Sequence, residues 1–508
     1  MAEDPNILLI VCDQLAPQFT TPYGSTSSLT PNLDALARTG VTFEAAYTTC
    51  PLCAPARNSL MTGRYASNID CFDNSSPLAA DQPTVAHYFT NGGYETVLSG
   101  KMHFPGPDQL HGFSKRLTTD IYPSDFTWLP KRPKEGWNGY ANVHAQPIAI
   151  DYVTAGPHQW SMQLDYDEET HFRALEYLRG RAKDYGRSRQ KEQTSKESKP
   201  FFLCVSYSHP HEPFYPTWEL WNRYEDREIP LPHIPEDTHQ YEHPIDRILN
   251  DYHGTSRVDM TDEEAMYRMR RAYLAQISYI DDKVGELLLA LSQCGLEDNT
   301  VVAFISDHGD MLGERGMVQK RCHYEFSARI PWLIRTPEGR GAFGRGTRVQ
   351  EPVSLADLAP TFMELAGLDP PSSPMDGSSV LGLMQGKQEP DRTVYCESHA
   401  AGMTTTTFMA RRGNLKYIHA SGYGPQLYDL SCDPGEWVNL AGKESIASVE
   451  QELRTALLDT FDPEDIERRV EDSIARRRII RAAMETSGGP NWDFQPFFDA
   501  RNRYWRSG

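Results

Sequence analysis

A cysteine with a proline and an arginine at fixed spacing is the part of this sequence that most directly indicates chemistry. The residues are Cys53, Pro55 and Arg57, in a segment that ends at Gly63. Proline fits the first turn of a helix, and glycine readily ends a helix in the left-handed conformation. We therefore predict a short helix that begins at Cys53, where backbone N–H groups and the helix dipole favour an anion. Arg57 lies one turn later and can point back to that anion.

Polar and ionisable side chains directly follow four predicted strands. The four groups are 13–14 after strand 7–12, 101–103 after strand 95–99, 209–211 after strand 201–206, and 307–310 after strand 300–306. Ligands of open α/β sheets bind outside the carboxyl ends of the strands. Because all four groups follow such ends, we expect them to converge on one edge of the sheet, beside Cys53.

The oxygen-rich part of this set predicts a divalent metal site. Asp13 and Asp307 offer carboxylates, and Gln14 offers an amide oxygen. His308 can add a nitrogen ligand or bind the group that the metal holds. Such donors suit a hard cation, Ca²⁺ or else Mg²⁺ or Mn²⁺, more than zinc. One aspartate at a strand end could merely cap a turn, but two strand ends and a helix N-terminus together favour the metal.

The basic residues near these strand ends predict a binding site for an oxyanion. They are Arg57, Lys101, His103, His211 and Lys320. Beside a cation, such a cluster can bind a tetrahedral oxyanion and protonate a departing alkoxide. His209, next to His211, is interpreted as a structural residue.

Two further motifs suggest other chemistry but lack the context that it needs. Cys50 and Cys53 match the Cys-x-x-Cys pattern of redox proteins, yet the second cysteine rather than the first begins the helix. The segment 339–344 fits a dinucleotide-binding fingerprint but does not lead into a helix. A redox or dinucleotide-binding function is therefore disfavoured.

Length, charge and composition limit the class of protein. A chain of 508 residues can bury a large core, and its net charge of −20 argues against a nucleic-acid surface. No apolar run reaches the roughly 18 residues of a membrane helix. The run 6–12 follows acidic residues and is interpreted as a buried strand rather than a signal peptide. Nine scattered cysteines are typical of a reducing compartment, so we expect a cytoplasmic protein. The charge and the lack of a membrane helix indicate that it has no nucleic-acid or membrane partner.

Short apolar runs alternate with helical patterns over residues 1–370, which predicts an α/β fold with a large, mostly parallel sheet flanked by helices. Besides the four strands above, the pattern predicts strands 41–47 and 330–335 and helices 31–38, 84–91, 166–185, 263–293 and 354–365. A proline-rich segment at 370–374 indicates a boundary. Residues 371–508 are predicted to form a smaller α+β subdomain. It would carry an antiparallel sheet of strands 393–397, 405–410, 416–419 and 426–429 and a helical, then aromatic, tail.

The motif around Cys53 resembles the signature of the type I sulfatases of the alkaline-phosphatase superfamily. Cys-x-Pro-x-Arg is followed by Thr-Gly-Arg at 62–64. Within that family the chain is similar to the choline sulfatases in several long segments, which are 100–104, 106–113, 117–123 and 310–316. The resemblance implies an alkaline-phosphatase-like, mixed sheet in a catalytic domain of residues 1–370.

The resemblance also implies a modified nucleophile and a metal ion. A formylglycine-generating or sulfatase-maturing enzyme would oxidise Cys53 to formylglycine, whose hydrate attacks sulfur. The metal ion would be bound by residue 53 together with Asp13, Gln14, Asp307 and His308. The reaction implied is hydrolysis of a small sulfate monoester, choline-O-sulfate or a related alkyl or aryl sulfate.

The other catalytic roles follow from the same resemblance. Lys101 would neutralise charge on the sulfuryl oxygens. Arg57 would supply further positive charge beside it. His211, with Lys320, would protonate the leaving alkoxide. His103 would remove the proton of the second hydroxyl when sulfate leaves.

The alcohol part of the substrate is expected to meet a separate set of residues. Trp128 and Glu397 are candidate partners for a quaternary ammonium through cation–π and charge contacts. Asn142 is the nearest match to a His-Asn pair of the choline sulfatases, in which this chain has alanine at 141. The family also implies a homodimer or homotetramer.

Two other interpretations stay open. A phosphonate monoester or phosphodiester hydrolase of the same superfamily would use the same nucleophile, because sulfate and phosphate esters share a shape. A non-catalytic binding homologue is the alternative from a different class, although the complete set of catalytic residue types argues against it.

Overall fold

Eight strands among the described residues form one mixed sheet at the centre of the protein. The structure is a computed structural model, and it describes residues 4–131, 147–182, 199–235, 240–338, 344–489 and 491–497. The strands of the chain are β1 (Asn6–Cys12), β2 (Val41–Phe43), β3 (Ala46–Tyr47), β4 (Glu95–Gly100), β5 (Lys115–Arg116), β6 (Phe201–Ser206), β7 (Thr300–Ser306), β8 (Arg329–Ile330), β9 (Trp332–Arg335), β10 (Thr347–Val349), β11 (Val353–Ser354), β12 (Thr393–Ser398), β13 (Thr407–Arg412), β14 (Leu415–Ala420) and β15 (Gln426–Asp429). The helices are α1 (Pro31–Thr39), α2 (Cys53–Thr62), α3 (Val85–Asn91), α4 (Ala149–Val153), α5 (Met162–Gly180), α6 (Trp218–Asn222), α7 (Pro244–His253), α8 (Glu263–Gln293), α9 (Glu325–Ala328), α10 (Leu358–Ala366), α11 (Leu381–Met384), α12 (Ala447–Thr460) and α13 (Pro463–Ser487).

The strand order of the large sheet is β10-β2-β9-β7-β1-β6-β4-β5. β1 runs parallel to both of its neighbours, β6 and β7, and β4 runs parallel to β6 and β5. β9 is antiparallel to β2 and β7. The predicted α/β fold with a mixed, mostly parallel sheet is therefore confirmed.

Both faces of the sheet are buried, as β1 illustrates. Leu8 and Ile10 belong to one apolar cluster, with side chains of α5 and α8. Ile7, Leu9 and Val11 belong to a second cluster, with side chains of α2, α3 and α10. Successive residues of a strand point to opposite faces, so a continuous apolar run is what a strand between two helical layers requires.

Several predicted elements differ from the structure in their bounds. The predicted strand 41–47 is two strands, because β2 joins the large sheet and β3 joins a three-stranded sheet of order β11-β3-β8. The predicted strand 330–335 is divided at Pro331 into β8 and β9, which lie in different sheets. The helix predicted at 166–185 begins earlier, at Met162, because the Ser161 hydroxyl accepts the Leu164 N–H at 3.2 Å and caps it.

The C-terminal part of the chain contains the predicted antiparallel sheet, of order β12-β13-β14-β15. α12 packs against this sheet through Leu453 and Leu457, and α13 continues the same apolar cluster with Ile466, Val470 and Ile474. The division of the chain at residue 370 stays a prediction. None of the helices in the described part of the chain has the length and apolar run that crossing a membrane requires.

Candidate active site

The N-terminus of α2 lies at the carboxyl ends of β1 and β7, beside the polar residues that follow these strands. Cys53 begins α2, and its Sγ lies 3.3 Å from His308 Nε2 and 3.8 Å from Asp13 Oδ1. One potential ligand atom from each of four fully buried residues lies within 4.8 Å of the other three. These residues are Asp13, Cys53, Asp307 and His308. Two carboxylates and an imidazole nitrogen at this spacing fit a divalent cation.

α2 ends as predicted, and the glycine that follows its last residue cannot be substituted freely. Gly63 has φ of 68° and donates its N–H to the Ser59 carbonyl at 2.8 Å. A Cβ at this position would lie 2.8 Å from Met375 Sδ. All ten residues of α2 are buried, so the helix is a fixed support for Cys53.

Arg57 connects the two carboxylates to the edge of the sheet. Its Nε donates to Asp307 Oδ2 at 2.8 Å, and its Nη2 lies 3.7 Å from Asp13 Oδ2. Its Nη1 donates to the Lys101 carbonyl and to the Ser206 hydroxyl, both at 2.7 Å. Burial would raise the pKa of Asp307, but Arg57 and the other cations outweigh burial and bring this pKa well below its usual value. Asp307 is therefore ionised, as a metal ligand must be.

Lys101 is fully buried and donates to Asp13. Its Nζ also lies 4.1 Å from the centre of the Tyr122 ring. Burial lowers the pKa of Lys101 to about 7, although nearby Asp307 opposes this shift. An amine of this kind can neutralise a developing negative charge and can also exchange a proton near neutral pH.

His211 and Lys320 form a pair at the same edge. His211 Nδ1 donates to the Glu212 carbonyl at 2.7 Å, so its Nε2 accepts from Lys320 Nζ at 2.8 Å. Burial, then Lys320 and Lys101, lower the pKa of His211 well below its usual value. A proton taken up by this pair can therefore be passed on readily, which suits a general acid.

Gln14 also reaches this edge, but through a network that the sequence did not indicate. Its amide oxygen accepts from Lys320, and its Nε2 donates to Glu212 at 2.5 Å and to Asp310. Its Nε2 also lies 3.2 Å from the Tyr152 hydroxyl. Asp310 belongs to the polar group 307–310, and Glu212 directly follows the group 209–211, whereas no motif marks Tyr152.

His103 is held in one tautomer by its neighbours. Its Nε2 donates to the Asn74 carbonyl at 3.1 Å, and its backbone N–H donates to Asp120 Oδ2 at 2.8 Å. Its Nδ1 is buried and has no hydrogen-bond partner among the described residues. Burial, reinforced by Lys101, lowers the pKa of His103 to about 3. The ring is therefore neutral at neutral pH, with a lone pair on Nδ1.

A cavity of about 520 Å³ leads to these residues from outside. Its lining includes Tyr122, Trp128, His211 and Lys320. The Trp128 ring lies 4.5 Å from the Tyr122 ring, centre to centre. An aromatic wall beside the proton-donating pair is where the alcohol part of an ester would lie.

The structure does not bring Glu397 to this cavity. Its carboxylate is fully buried, accepts the Ser67 N–H at 2.8 Å and lies 3.1 Å from His399 Nε2. Asn142 lies outside the described residues. Of the two described residues expected to contact the alcohol part, Trp128 lines the cavity and Glu397 does not.

The buried surroundings of Cys53 oppose ionisation of its thiol. Burial raises the pKa of Cys53, and Asp307 raises it further, against the effect of Lys320 and Arg57. A protonated thiol is a weak nucleophile. The arrangement can bind a metal ion and an oxyanion beside residue 53.

Three family models match the chain. The model described as "Sulfatase" matches residues 5–368. The model described as "N-sulphoglucosamine sulphohydrolase, C-terminal" matches residues 313–462, and the model described as "Choline sulfatase enzyme C terminal" matches residues 468–508. Together these matches extend over nearly all of the chain.

Individual proteins show the same similarity. A choline-sulfatase of Rhizobium meliloti is 38% identical and covers 99% of this chain and 96% of its own length. An arylsulfatase of Clostridium perfringens is 29% identical over 89% of this chain and 94% of its own length. The crystal structure of a phosphonate monoester hydrolase of Agrobacterium radiobacter aligns with a TM-score of 0.68 and 26% identity, over 90% of this chain and 95% of that one.

Proposed function

Since the chain belongs to the sulfatase family of sulfuric ester hydrolases, we propose that it hydrolyses a small sulfate monoester by means of formylglycine and a divalent metal ion. The substrate is choline-O-sulfate or a related alkyl or aryl sulfate. One observation carries the mechanism, namely the buried group of potential metal ligands at the N-terminus of α2, which consists of Asp13, Cys53, Asp307 and His308.

Residues of this chain would bind the metal ion and carry the formylglycine. Asp13, Gln14, Asp307 and His308, with residue 53, would bind Ca²⁺ or else Mg²⁺ or Mn²⁺, which as a Lewis acid draws charge from the sulfuryl oxygens. Oxidation of Cys53 by a formylglycine-generating or sulfatase-maturing enzyme would supply an aldehyde. Addition of water to this aldehyde would give a geminal diol, with one hydroxyl to attack sulfur and one to lose its proton as sulfate leaves.

The remaining residues bind, orient and move protons. Lys101 and Arg57 place positive charge beside the sulfuryl oxygens, where negative charge develops. Lys320 holds His211 in reach of the leaving oxygen, and this pair protonates the alkoxide. His103, neutral and with a free lone pair on Nδ1, accepts the proton of the second hydroxyl.

A substrate panel and a peptide mass measurement test the proposal. Choline, aryl, alkyl and sugar sulfates, with phosphonate monoesters and phosphodiesters, are compared by kcat/KM. We expect a small sulfate to have the highest value in protein whose residue 53 is formylglycine by peptide mass. Absence of all turnover in such modified protein would instead support a non-catalytic binding homologue.

Loss of His211 is expected to depend on the leaving group. His211→Ala removes the proton donor, so hydrolysis of an alkyl sulfate, which leaves as a strong base, should slow by about 10²- to 10⁴-fold. An aryl sulfate of an acidic phenol leaves without much help and should slow far less. Steady-state kcat/KM for both substrates on the same variant gives the comparison. An equal loss with both would remove His211 from the acid role.

Loss of Trp128 is expected to affect cationic substrates selectively. Trp128→Ala should lower kcat/KM for choline-O-sulfate about three- to thirtyfold, the range of one cation–π contact. The neutral isostere 3,3-dimethylbutyl sulfate should change less. Trp218→Ala, a half-exposed tryptophan on α6, is the control. An equal loss for the charged and the neutral ester would mean that Trp128 only packs there.

A phosphonate monoester hydrolase is the second candidate. The alignment with the Agrobacterium enzyme at a TM-score of 0.68 favours it, because the same nucleophile and metal can serve both chemistries. Higher kcat/KM for a phenyl phosphonate than for every sulfate of the panel would establish it instead.

Assembly and compartment stay predictions. We propose a homodimer or homotetramer, which light scattering of the purified protein would test. We also propose the reducing cytoplasm as the compartment, on the basis of the nine scattered cysteines in the sequence.

A further inference from the structure

A buried arginine connects the C-terminal helix α13 to the active-site side of the molecule. Arg477 is 3% exposed, and its two terminal nitrogens donate to the two oxygens of Asp73 at 2.6 and 2.7 Å. It also donates to the Ser75 hydroxyl at 2.6 Å. Burial would raise the pKa of Asp73, but Arg477 outweighs burial and lowers it, so this is an ionised, two-bond pair.

The residue after Asp73 contacts two parts of the candidate active site. The side-chain oxygen of Asn74 accepts the N–H of Ala54 at 3.0 Å. Ala54 directly follows Cys53 in the first turn of α2. The Asn74 carbonyl accepts from His103 Nε2 at 3.1 Å. One residue therefore contacts both the turn that carries the nucleophile and the imidazole that would act as base.

The second of these contacts decides which nitrogen of His103 is basic. A carbonyl oxygen can only accept a hydrogen bond, so Nε2 must carry the proton. Nδ1 is then left with the lone pair, and it has no hydrogen-bond partner among the described residues. A displaced Asn74 carbonyl would allow the other tautomer and would free the ring to turn.

We propose that Arg477 is a positioning residue, which holds Asp73 and Asn74 so that His103 presents a basic Nδ1. This inference rests on the proposed function, because it gives His103 its role as base. It adds a residue of the C-terminal helix to the active site without any contact between that residue and the substrate.

α13 has other attachments, so removal of Arg477 alone leaves the helix anchored. Ile466, Val470 and Ile474 are buried in an apolar cluster with α12 and the antiparallel sheet. Arg469 donates to Asp70 and to the Ser67 carbonyl. The effect of an Arg477 substitution should therefore be local to the segment around Asn74.

Two substitutions at position 477 and one control test the proposal in the full chain. Arg477→Met removes the pair, and Arg477→Lys keeps the charge but not the two parallel bonds. Arg468→Met removes the same charge from the exposed side of α13, where Arg468 pairs with Asp465 and Asp472. We expect kcat for a sulfate ester to fall about ten- to a hundredfold in both Arg477 variants, with KM little changed and the control unaffected.

A double-variant cycle separates positioning from a general loss of structure. If Arg477 acts through His103, then Arg477→Met in a His103→Ala background should lower kcat less than about threefold. Wild-type kcat in the Arg477→Lys variant would overturn the proposal. A fall of kcat by about ten- to a hundredfold when Arg477→Met is added to His103→Ala would also overturn it. Absence of sulfate hydrolysis by the wild-type protein would instead contradict the proposed function, so the two failures are distinguishable.

Discussion

Replacement of Cys53 by serine is expected to abolish repeated turnover and to leave the protein with one sulfuryl group attached at position 53. The substituted side chain has one hydroxyl, whereas the proposed diol has two. After attack on sulfur no second hydroxyl remains to form a carbonyl and expel sulfate. We expect steady-state kcat to fall by about a thousandfold or more, as for other removed nucleophiles.

Two measurements check this expectation. The alcohol released in the first turnover should not exceed the amount of enzyme, and the intact mass should rise by one sulfuryl group. Cys50→Ser changes another buried cysteine three residues earlier and serves as the control. Wild-type turnover by the Cys53→Ser variant would contradict the mechanism proposed for residue 53.

Replacement of Asp307 by asparagine is expected to remove bound metal and to lower kcat/KM by about a thousandfold or more. The amide keeps the shape of the carboxylate but lacks its charge. The change also leaves the buried Arg57 guanidinium without its 2.8 Å ion pair. Loss of one partner of such a pair lowers the free energy of unfolding by about 3–5 kcal/mol.

The chain offers a matched control for the effect on stability. Asp357 is also buried and pairs with Arg392 at 2.6 Å, outside the group of potential metal ligands. Asp357→Asn should lower the free energy of unfolding in urea without loss of metal, measured by elemental analysis after dialysis. Asp307→Asn should both lower the free energy of unfolding and lose bound metal. A variant at 307 that retains the metal content of the wild type would remove Asp307 from the metal site.

The meeting of the polar strand ends could be predicted because it depends on short-range patterns and one rule of topology. Asp13 and Asp307 each end a continuous apolar run, and β1 and β7 are parallel neighbours, so the two carboxylates must lie at the same edge. Cys53 could be placed because proline and glycine mark both ends of α2. These inferences needed no knowledge of packing.

Residues in loops could not be predicted in the same way. Asn74 and Asp120 hold His103, yet each lies in a segment with no periodic pattern, and their contacts arise only when distant parts of the chain pack together. Glu397 was expected near the substrate, but it is a buried partner of the Ser67 N–H. A carboxylate at a strand end has the same sequence signal whether it faces a cavity or a backbone amide.

The complete burial of α2 determines when an enzyme could reach Cys53. No residue of this helix is accessible in the folded protein, and Cys53 is 0% exposed. An enzyme that must bind the segment around this cysteine would therefore need a newly made or unfolded polypeptide as its substrate. Under the formylglycine mechanism proposed above, maturation would precede folding.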